Sequence, residues 1–438
     1  MNILFILPEF YPHSAGGIAT FYLQLISKLK SEVNAIKIIV GSGYTNGYDQ
    51  FKWNGIDVQY LKPEIFHKYL LQFSKFDTFP QLKRDLAAAW GMFEQAKQGE
   101  GFDLVECTDF GVGYVPWVCK NTVPVNVRLH GSSGQISYYD PNVKDDLAGD
   151  FNKLLEISFF NKAYLSTYSE SNKQFWQKVL PECKIHKLLP VYSDLSITEK
   201  KFKDRERVGI ITGRLQYWKG PITTCKALQI FNNKVNIKWF GRDMPYKDCD
   251  SMSAYLADNF PGIWQKNLQY AASLPKDKVN DLQKKALFGL VPSTWDMFNF
   301  TCVEFMSNFT PVICSDKAGA SELIINGENG FVFESGNHTD LAEKINILYS
   351  LSEAEYEKTC RAAFDTIKRE LDSRELISNY LLQYKDCMNY TFNKIDPFIS
   401  EIFSPSSNTY TSDMVLKNFG LKEIWAHSVN RTINKILK

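Results

Sequence analysis

Two acidic residues, Asp296 and Glu304, lie eight positions apart in VPSTWDMFNFTCVEFMSNFTPV, which spans residues 291–312. The rest of this stretch is apolar or uncharged, so neither carboxylate has a basic neighbour in sequence. A buried carboxylate is costly unless a partner compensates its charge. We therefore expect both side chains to be held in place for contact with a ligand.

The local sequence predicts how this stretch presents its polar groups. An apolar run that ends at residue 291 is typical of a buried strand, and a helix is expected to begin near Thr301. The unpaired amides of Asn299, Phe300 and Thr301 would then face outward at the positive end of that helix. Glu304, one turn further on, could accept hydrogen bonds from two ligand hydroxyl groups. The alternative is that Glu304 only stabilises the first helical turn.

A second candidate for anion binding is GRLQYWKG, residues 213–220. It follows a predicted strand, so Arg214 and Lys219 could both point into a cleft. A guanidinium fork together with a compact ammonium group suits a diphosphate. The alternative is a pair of solvated charges beside a helix start.

Two shorter motifs lie nearer the N-terminus. HSAGG, residues 13–17, precedes the first predicted helix, where Gly16 and Gly17 would allow the backbone to approach an anion closely; the alternative is a tight loop. RLHG places His130 and Gly131 just after a predicted strand. A single histidine is more often structural than catalytic, but the strand-end position favours a functional interpretation.

The elements that must position these residues follow from hydrophobic patterning. Short β-rich runs alternate with segments of helical periodicity, which predicts parallel α/β layers. The predicted strands are Ile3–Leu7, Ile36–Val40, Phe102–Cys107 and Val125–Leu129, followed by Val208–Ile211, Ile237–Phe240, Ala286–Val291, Val312–Cys314 and Phe331–Phe333. We expect two doubly wound domains in tandem, with a ligand between them at the carboxyl ends of the strands.

A polar, charge-dense stretch at 190–207 separates the two patterns and is typical of a linker. We therefore place an N-terminal domain at residues 1–192 and the linker at 193–207. The C-terminal domain is expected at 208–385, followed by further helices at 386–438.

Composition narrows the class of protein. A formal net charge of +1 over 438 residues argues against a nucleic-acid-binding protein. The nine cysteines are dispersed without C-x-x-C spacing and the six histidines show no H-x3-H pattern, so we expect reduced thiols and no metal site. The apolar run before Pro8 is too short for a secretion signal or a membrane span. These features favour a cytoplasmic protein without a cofactor.

Together the motifs resemble retaining glycosyltransferases of family four. The resemblance covers most of residues 1–345 and is most specific in GRLQYWKG and in PSTWDMFNFTCVEFMSNFTPVICSDKAGASELIINGENGFVF, residues 292–333. The family pattern is Pro-Ser, an acid, Gly-Phe-Gly, a Glu eight positions after the first acid, Gly-x-Pro-Val and a Glu before an Asn-Gly turn. The residues in register are Pro292, Ser293, Asp296, Phe298, Glu304, Pro311, Val312, Glu322 and Gly330. FDLVECTDFG (102–111) and VRLHG (127–131) also look like motifs of this family.

The resemblance implies an α/β protein of GT-B fold, with two Rossmann-like, doubly wound domains facing a central cleft. A nucleotide sugar would be held mainly by the second domain. The diphosphate would contact Arg214 and Lys219, and amides at 299–301 would assist. Glu304 would bind the ribose, and Asp296 would contact the donor sugar.

The resemblance also implies roles for the first domain. Gly17, next to Gly16, and His130 would face the phosphate and the sugar. Glu106 and Asp109 are candidates on the acceptor side. The C-terminal helices would cross back to the first domain.

Several positions depart from the family pattern. Asp296 replaces the usual first Glu, Met297 and Asn299 replace the usual glycines, and Phe305 and Phe309 replace small residues. These changes leave the expected fold intact but leave the identity of the sugar open.

The leading interpretation is a retaining, metal-independent glycosyltransferase that uses a UDP- or GDP-sugar and a saccharide or lipid-linked acceptor, in the synthesis of a surface polysaccharide or other glycan. A GT-B epimerase or phosphorylase is one alternative, and a sugar-nucleotide-binding protein without catalysis is another. Residues 417–438 form a basic amphipathic segment that would pack on the protein or a partner subunit, or bind the inner face of an anionic membrane. The sequence leaves the oligomeric state open.

Overall fold

The computed structural model describes residues 1–13, 16–41, 50–140, 147–196, 198–231, 234–406 and 420–436. In these residues the chain forms two sheets. The first sheet has eight strands in the order β3-β4-β2-β1-β5-β6-β7-β8, and only the β3–β4 pair is antiparallel. Its strands are β1 (Asn2–Leu7), β2 (Ala35–Val40), β3 (Gln50–Trp53), β4 (Ile56–Tyr60), β5 (Leu104–Thr108), β6 (Val125–Arg128), β7 (Tyr164–Thr167) and β8 (Ile185–Lys187).

The second sheet has six strands, all parallel, in the order β11-β10-β9-β12-β13-β14. These strands are β9 (Glu206–Thr212), β10 (Ile237–Phe240), β11 (Leu268–Ala271), β12 (Ala286–Val291), β13 (Val312–Ser315) and β14 (Phe331–Phe333). The predicted α/β architecture is confirmed, and all nine predicted strands are present within a residue or two at each end. Strands β3, β4, β7, β8 and β11 were not predicted, because they are short or lack a continuous apolar run.

Helices cover both faces of the sheets. In chain order they are α1 (Gly17–Leu29), α2 (Pro63–Gln72), α3 (Pro80–Gln95), α4 (Val115–Lys120), α5 (Ser133–Tyr139), α6 (Leu147–Phe160), α7 (Glu170–Val179), α8 (Pro221–Ile230), α9 (Met252–Asn259), α10 (Lys276–Lys285), α11 (Phe300–Ser307), α12 (His338–Ser350), α13 (Glu353–Leu371), α14 (Arg374–Met388), α15 (Pro397–Ile402) and α16 (Leu421–Ile436). None of the helices in the described residues is long and apolar enough to span a membrane.

Serine caps start two helices of the first half close to where its strands end. Ser132 accepts a hydrogen bond from the Gln135 amide at the start of α5, and Ser169 does the same for Asn172 at the start of α7. Such caps satisfy amides that have no partner inside the helix. They fix the loops that follow β6 and β7, which lie beside the candidate site.

The stretch predicted as a linker is partly structural. Arg205 is buried, and its guanidinium donates to the carbonyl oxygens of Ala286 and Phe309 at 3.1 and 2.6 Å and to Thr310 Oγ1 at 3.0 Å. β9 then begins at Glu206. The polar composition of the stretch therefore includes an arginine that ties the start of β9 to β12.

The helix that returns to the first sheet begins earlier than the predicted segment 386–438. Helix α14 starts at Arg374 and packs against β5 and β6. Its Tyr380 hydroxyl donates to the Leu189 carbonyl at 2.9 Å, and Gln383 accepts a hydrogen bond from Arg128 of β6 at 3.3 Å. The boundary placed at 385 thus falls inside the returning helix.

Candidate active site

The candidate site lies where β9 and β12 end. These strands are neighbours in the middle of the second sheet. From β9 the chain adds β10 and β11 on one side and then returns to add β12, β13 and β14 on the other side. Such a switch point leaves a crevice outside the carboxyl ends of parallel strands. A small pocket there is lined by residues that include Thr212, Gly213, Lys219, Ser293 and Thr301.

Gly220 brings the loop after β9 against the loop after β12. Its φ is +77°, and a Cβ atom there would lie 1.9 Å from the Pro292 carbonyl oxygen. Only glycine fits such a contact, and only glycine adopts this backbone conformation at little cost. The close approach places Lys219 next to the loop that carries Asp296.

Lys219 and Asp296 form an ion pair between Nζ and Oδ2. The same oxygen accepts a hydrogen bond from Asn299 Nδ2 at 2.7 Å. The Asp296 backbone is also held: its amide donates to the Lys317 carbonyl at 3.0 Å and its carbonyl accepts from the Gly319 amide at 3.1 Å. The structure therefore brings together two residues that the sequence assigned to different parts of one ligand.

Arg214 is exposed and follows β9 directly. Its guanidinium carbon lies 6.0 Å from the centre of the Trp218 ring, a cation–π arrangement. The structure places Arg214 and Lys219 at the end of the same strand, as the sequence predicted. Lys219 is paired, whereas Arg214 presents its fork at the surface.

Helix α11 begins beside this pair. Asn299, the residue before the helix, has a φ of +80° and does not cap the helix with its side chain. Thr301 Oγ1 donates to the Thr212 carbonyl at 3.1 Å, which ties the first turn to the end of β9. The predicted helix start is therefore confirmed within a residue, and its positive end faces the pocket.

Glu304 lies one turn into α11 and accepts a hydrogen bond from Gln283 Nε2 at 3.3 Å. Burial raises the pKa of this carboxyl, while Gln283 and Lys276 partly offset that effect. Gln283 is itself held by Asn308, whose Nδ2 donates to Gln283 Oε1 at 3.0 Å. In the described part of the chain this long hydrogen bond is the one that the Glu304 carboxylate accepts, which leaves it with acceptor capacity for ligand hydroxyl groups.

A carboxylate of the chain itself, that of Glu9, lies beside Gly16 of the HSAGG motif. Gly16 precedes α1, and a Cβ atom there would lie 2.4 Å from Glu9 Oε1. The same oxygen accepts a hydrogen bond from the Ala19 amide at 3.2 Å. Among the described residues, chain neighbours aside, no atom lies within 4 Å of a Cβ position at Gly17. The sequence analysis did not identify Glu9 as a partner of this helix start. The available signal was a carboxylate ahead of a predicted helix, because anions are stabilised at a helix N-terminus.

His130 follows β6 and is enclosed by aromatic rings. Its Nε2 lies 2.7 Å from the Tyr168 hydroxyl, and the rings of Phe21 and Tyr22 are 5.3 and 5.4 Å away, centre to centre. Burial, with the nearby Arg128 charge, holds the pKa of His130 well below its ordinary value. The imidazole is therefore neutral at physiological pH and acts as a hydrogen-bonding group rather than a cation.

Glu106 and Asp109, predicted on the acceptor side, lie in the interior. Glu106 is fully buried and pairs with Arg128, with Nε and Oε1 2.5 Å apart. Asp109 is also buried, and it accepts hydrogen bonds from the amides of Phe110, His130 and Gly131 at 2.8, 2.8 and 3.1 Å. The two carboxylates support the loop after β6 and do not present themselves to an acceptor in this structure.

Comparison with known proteins identifies the second half. Residues 194–363 match the family model described as Glycosyl transferases group 1. The chain carries a glycosyl transferases group 1 domain. An uncharacterized glycosyltransferase of Methanocaldococcus jannaschii is 25% identical over 355 residues, which cover 78% of this chain and 86% of that protein.

Solved structures agree with the fold of a group 1 glycosyltransferase. Sucrose-phosphate synthase from Thermosynechococcus elongatus superposes with a TM-score of 0.70 at 15% identity, covering 89% of this chain and 100% of that chain. The Anabaena protein HepE, in complex with UDP and glucose, superposes with a TM-score of 0.64 at 15% identity, and the match covers 88% of this chain and 100% of that chain. The predicted GT-B fold is confirmed.

The group 1 domain contacts the first half through polar groups and rings. Ser169 Oγ donates to the Met297 carbonyl at 2.9 Å, directly after Asp296. The rings of Tyr139 and Trp295 stack at 4.5 Å, with 9° between their planes. Gly131, at φ +103°, would place a Cβ atom 3.4 Å from Trp295. These contacts bring the strand-end loop of the first half next to the Asp296 loop of the glycosyl transferases group 1 domain.

Glu322 of the group 1 domain makes a further contact across the cleft. Its Oε1 accepts hydrogen bonds from the amides of Glu170 and Ser171 at 2.6 and 3.2 Å, and its Oε2 pairs with Lys187 at 2.6 Å. The sequence placed Glu322 in register with the family pattern but assigned it no role. Its partners lie 135 to 152 residues earlier, a separation that sequence patterning does not reveal. Among the described residues, no group of three His, Cys, Asp or Glu side chains is arranged to hold a metal ion.

Proposed function

We propose that this glycosyltransferase uses a nucleotide-sugar donor, either a UDP- or a GDP-sugar, and transfers the sugar with retention at the anomeric carbon. The observation that carries the proposal is the Lys219–Asp296 pair beside the start of α11. It combines a cation, a carboxylate and a positive helix end in one pocket. HepE, which has the same fold, forms a complex with UDP and glucose, and this supports the proposed donor class.

Binding would rearrange this pair. A diphosphate would take Lys219 and Arg214 as its counter-charges, assisted by the amides at 299–301. Asp296, released from Lys219, would then accept a hydrogen bond from a hydroxyl of the donor sugar. Glu304 would accept from the ribose hydroxyls. Each group thus binds a part of the donor that matches its charge.

The chemistry requires little from the first half beyond positioning. The bond between the anomeric carbon and the diphosphate oxygen breaks, and the acceptor oxygen bonds to the same face of that carbon. The acceptor proton passes to the departing diphosphate. Lys219 and Arg214 stabilise the negative charge that develops there, which is the kind of fixed electrostatic stabilisation that lowers a barrier most. Neutral His130 and the loop around Gly17 would face the sugar and phosphate.

The acceptor is proposed to be a saccharide or a lipid-linked saccharide, in the synthesis of a surface polysaccharide or other glycan. Nine cysteines without a disulfide bond favour a reducing, cytoplasmic location. An epimerase would release free nucleotide without an acceptor, and a phosphorylase would need inorganic phosphate. A binding protein would release none. Nucleotide release measured with and without acceptor therefore tests the proposal against its three alternatives.

Metal independence gives a first specific prediction. Transfer should persist in excess chelator, because two fixed cations neutralise the leaving diphosphate. Lys219→Ala should lower kcat more than it raises KM, since charge on the leaving group grows toward the transition state. Lys317→Ala is the matched control, because Lys317 lies beside the Asp296 loop but pairs with Asp316 at the surface. Loss of all activity in chelator, with recovery on adding manganese, would contradict the prediction.

A further inference from the structure

A second cavity lies at the opposite end of the first sheet from the cleft. Its volume is about 220 Å³. One wall is residues 117–125, which run from α4 into β6, and the other is residues 392–400, which follow the returning helix α14. Val125, at the start of β6, lines this cavity, whereas the cleft residue His130 follows the end of the same strand. The two sites are therefore separate.

We name it the lysine cavity, because Lys120, Lys162 and Lys394 line it. In the described part of the chain, its lining contains no Asp or Glu, and none of the three ammonium groups lies within ion-pair distance of a carboxylate. The ammonium of Lys120 instead lies 5.7 Å from the centre of the Trp90 ring. Lys120 and Lys394 are exposed and Lys162 is half-buried, so an anion bound at the rim of the cavity would give these ammonium groups a counter-charge.

The floor of the lysine cavity is apolar. Val118, Val125 and Ile395 are buried there, and Phe392 is half-buried. The volume is below the range of roughly 300–1,000 Å³ that is usual for drug-sized ligands. The occupant should therefore be compact, with a strongly anionic group at the rim and little apolar bulk.

A phosphate group fits these requirements. Lysine binds phosphate as a point charge, and three lysines can share its oxygens without the planar geometry that arginine demands. Helix α15, which lines the cavity through Pro397 and Ser400, also carries Phe398, whose side chain is 77% exposed. An exposed aromatic on the same helix is compatible with a phosphate that belongs to a lipid headgroup as well as with a free phosphate ester.

We propose that the lysine cavity is a binding site for a compact phosphate-bearing ligand, distinct from the donor cleft. The ligand would join the 117–125 and 392–400 segments, which belong to the first sheet and to the C-terminal return of the chain. Its binding would therefore hold the return segment against the first half.

The test uses the full chain and two probes, pyrophosphate in calorimetric titration and vesicles of phosphatidylcholine with or without phosphatidic acid in sedimentation. The cavity variant carries Lys120→Gln, Lys162→Gln and Lys394→Gln. The control carries Lys226→Gln, Lys266→Gln and Lys368→Gln, three exposed lysines outside the cavity, so both variants change net charge equally. Any pyrophosphate that enters the donor cleft contributes equally in all three proteins.

We expect the control to match the unchanged chain and the cavity variant to lose a pyrophosphate site, with affinity lowered roughly tenfold or more. Loss of pyrophosphate binding would support a free phosphate compound as the ligand. Loss of sedimentation with phosphatidic acid alone, with equal pyrophosphate binding in all three proteins, would support a lipid headgroup. Equal behaviour of the cavity variant and the control with both probes would overturn the proposal, provided that their circular dichroism spectra agree.

Discussion

At the residue scale, the departure from glycine at position 299 has a physical explanation. Asn299 adopts a φ of +80°, a conformation that glycine takes freely and that asparagine tolerates better than most residues. In return its side-chain amide donates to Asp296 at 2.7 Å. Asparagine at this position has less backbone freedom than glycine, but it supplies a hydrogen bond that fixes the side chain of Asp296, which is shorter than glutamate.

The two carboxylates of this segment should have different roles. Glu304→Gln should weaken nucleoside diphosphate and sugar nucleotide alike, by about tenfold or more, because a charge-assisted hydrogen bond contributes roughly 1.5–3 kcal/mol. Asp296→Asn should leave the affinity for free nucleoside diphosphate nearly unchanged, impair transfer and reduce discrimination between sugars. Calorimetric titration of both variants with each ligand measures the difference.

A purely structural role makes a different prediction. If both acids only stabilise the turn between β12 and α11, each variant should melt at a lower temperature and bind both ligands normally per folded molecule. Equal weakening of both ligands by Asp296→Asn would show that Asp296 does not contact the sugar. Thermal melting of each variant, recorded beside the titrations, separates the two outcomes.

The sequence pointed to individual residues of the candidate site but not to their contacts. Asp296 and Glu304 were chosen because they are acids in an otherwise apolar or uncharged stretch, and Lys219 because it follows a predicted strand in GRLQYWKG. The Lys219–Asp296 pair joins positions 77 residues apart, and no local periodicity encodes such a contact. Glu106 and Asp109 were candidates for the acceptor side through the family resemblance, whereas tertiary packing buries both side chains.

At the element scale, two buried carboxyls support the loop that follows β6. Asp109 accepts the amides of His130 and Gly131, and Glu156 of α6 accepts the Gly134 amide at 2.7 Å. Burial raises the pKa of Asp109 to about 7 and that of Glu156 to about 8. The loop that faces the cleft is thus held by acids that bind protons more tightly in the folded chain than in the unfolded chain.

This arrangement predicts how stability depends on pH. Because these folded-state pKa values lie above the unfolded ones, the folded chain binds more protons between about pH 4 and 8. The free energy of unfolding should therefore fall as pH rises through this range. Glu156→Gln removes one such group, so its stability should fall less steeply, by up to about 1.4 kcal/mol per pH unit. Urea unfolding at several pH values measures the slopes, with exposed Glu328→Gln as the control. Parallel slopes for Glu156→Gln and the unchanged chain would contradict the prediction.

Elements with strong apolar patterning were predictable, and those defined by tertiary contact were not. β1, β9 and β12 are apolar runs buried in a parallel sheet, where both faces are covered. β3 alternates exposed and half-buried residues and forms the sheet edge, so its sequence carries little signal. The returning helix α14, which starts at Arg374, contacts the first sheet through Tyr380, whose ring centre lies 5.0 Å from the guanidinium of Arg128. The two residues are far apart in sequence, so local patterning does not show this contact.

At the scale of the whole molecule, the two halves are joined both at the cleft and behind it. At the cleft, Glu322 binds the start of α7 and Lys187. Behind it, α14 packs on the first sheet through Gln383 and Tyr380. The loops of the first half are therefore held beside the loop of the second half that carries Asp296. The order of the two patterns along the chain was enough to predict this arrangement in outline, but not the residues that join the halves.

The C-terminal helix α16 leaves large apolar side chains uncovered. Leu421 is 87% exposed and Trp425 is 70% exposed. These two side chains do not pack on the body of the protein, so of the first alternative for the tail, packing on the protein or on a partner subunit, only a partner subunit is left for them. Residues 417–438 carry five basic residues and one acidic residue. An amphipathic basic helix with an exposed tryptophan is typical of a segment that lies on an anionic membrane.

We therefore expect the full chain to sediment with vesicles that contain phosphatidic acid and a chain of residues 1–416 to sediment much less. Phosphatidylcholine vesicles should bind both weakly, because the basic residues contribute roughly 1 kcal/mol each only near an anionic surface. The same truncation is made in the variant with Lys120, Lys162 and Lys394 changed to Gln, so that contributions of the tail and of the lysine cavity separate. Trp425→Ser in the full chain tests the apolar face without removing a charge. If the full chain and residues 1–416 sediment equally with anionic vesicles, the tail does not bind the membrane. Its exposed face is then left for a partner subunit. Sedimentation velocity of the two chains would show such a contact as a difference in oligomeric state.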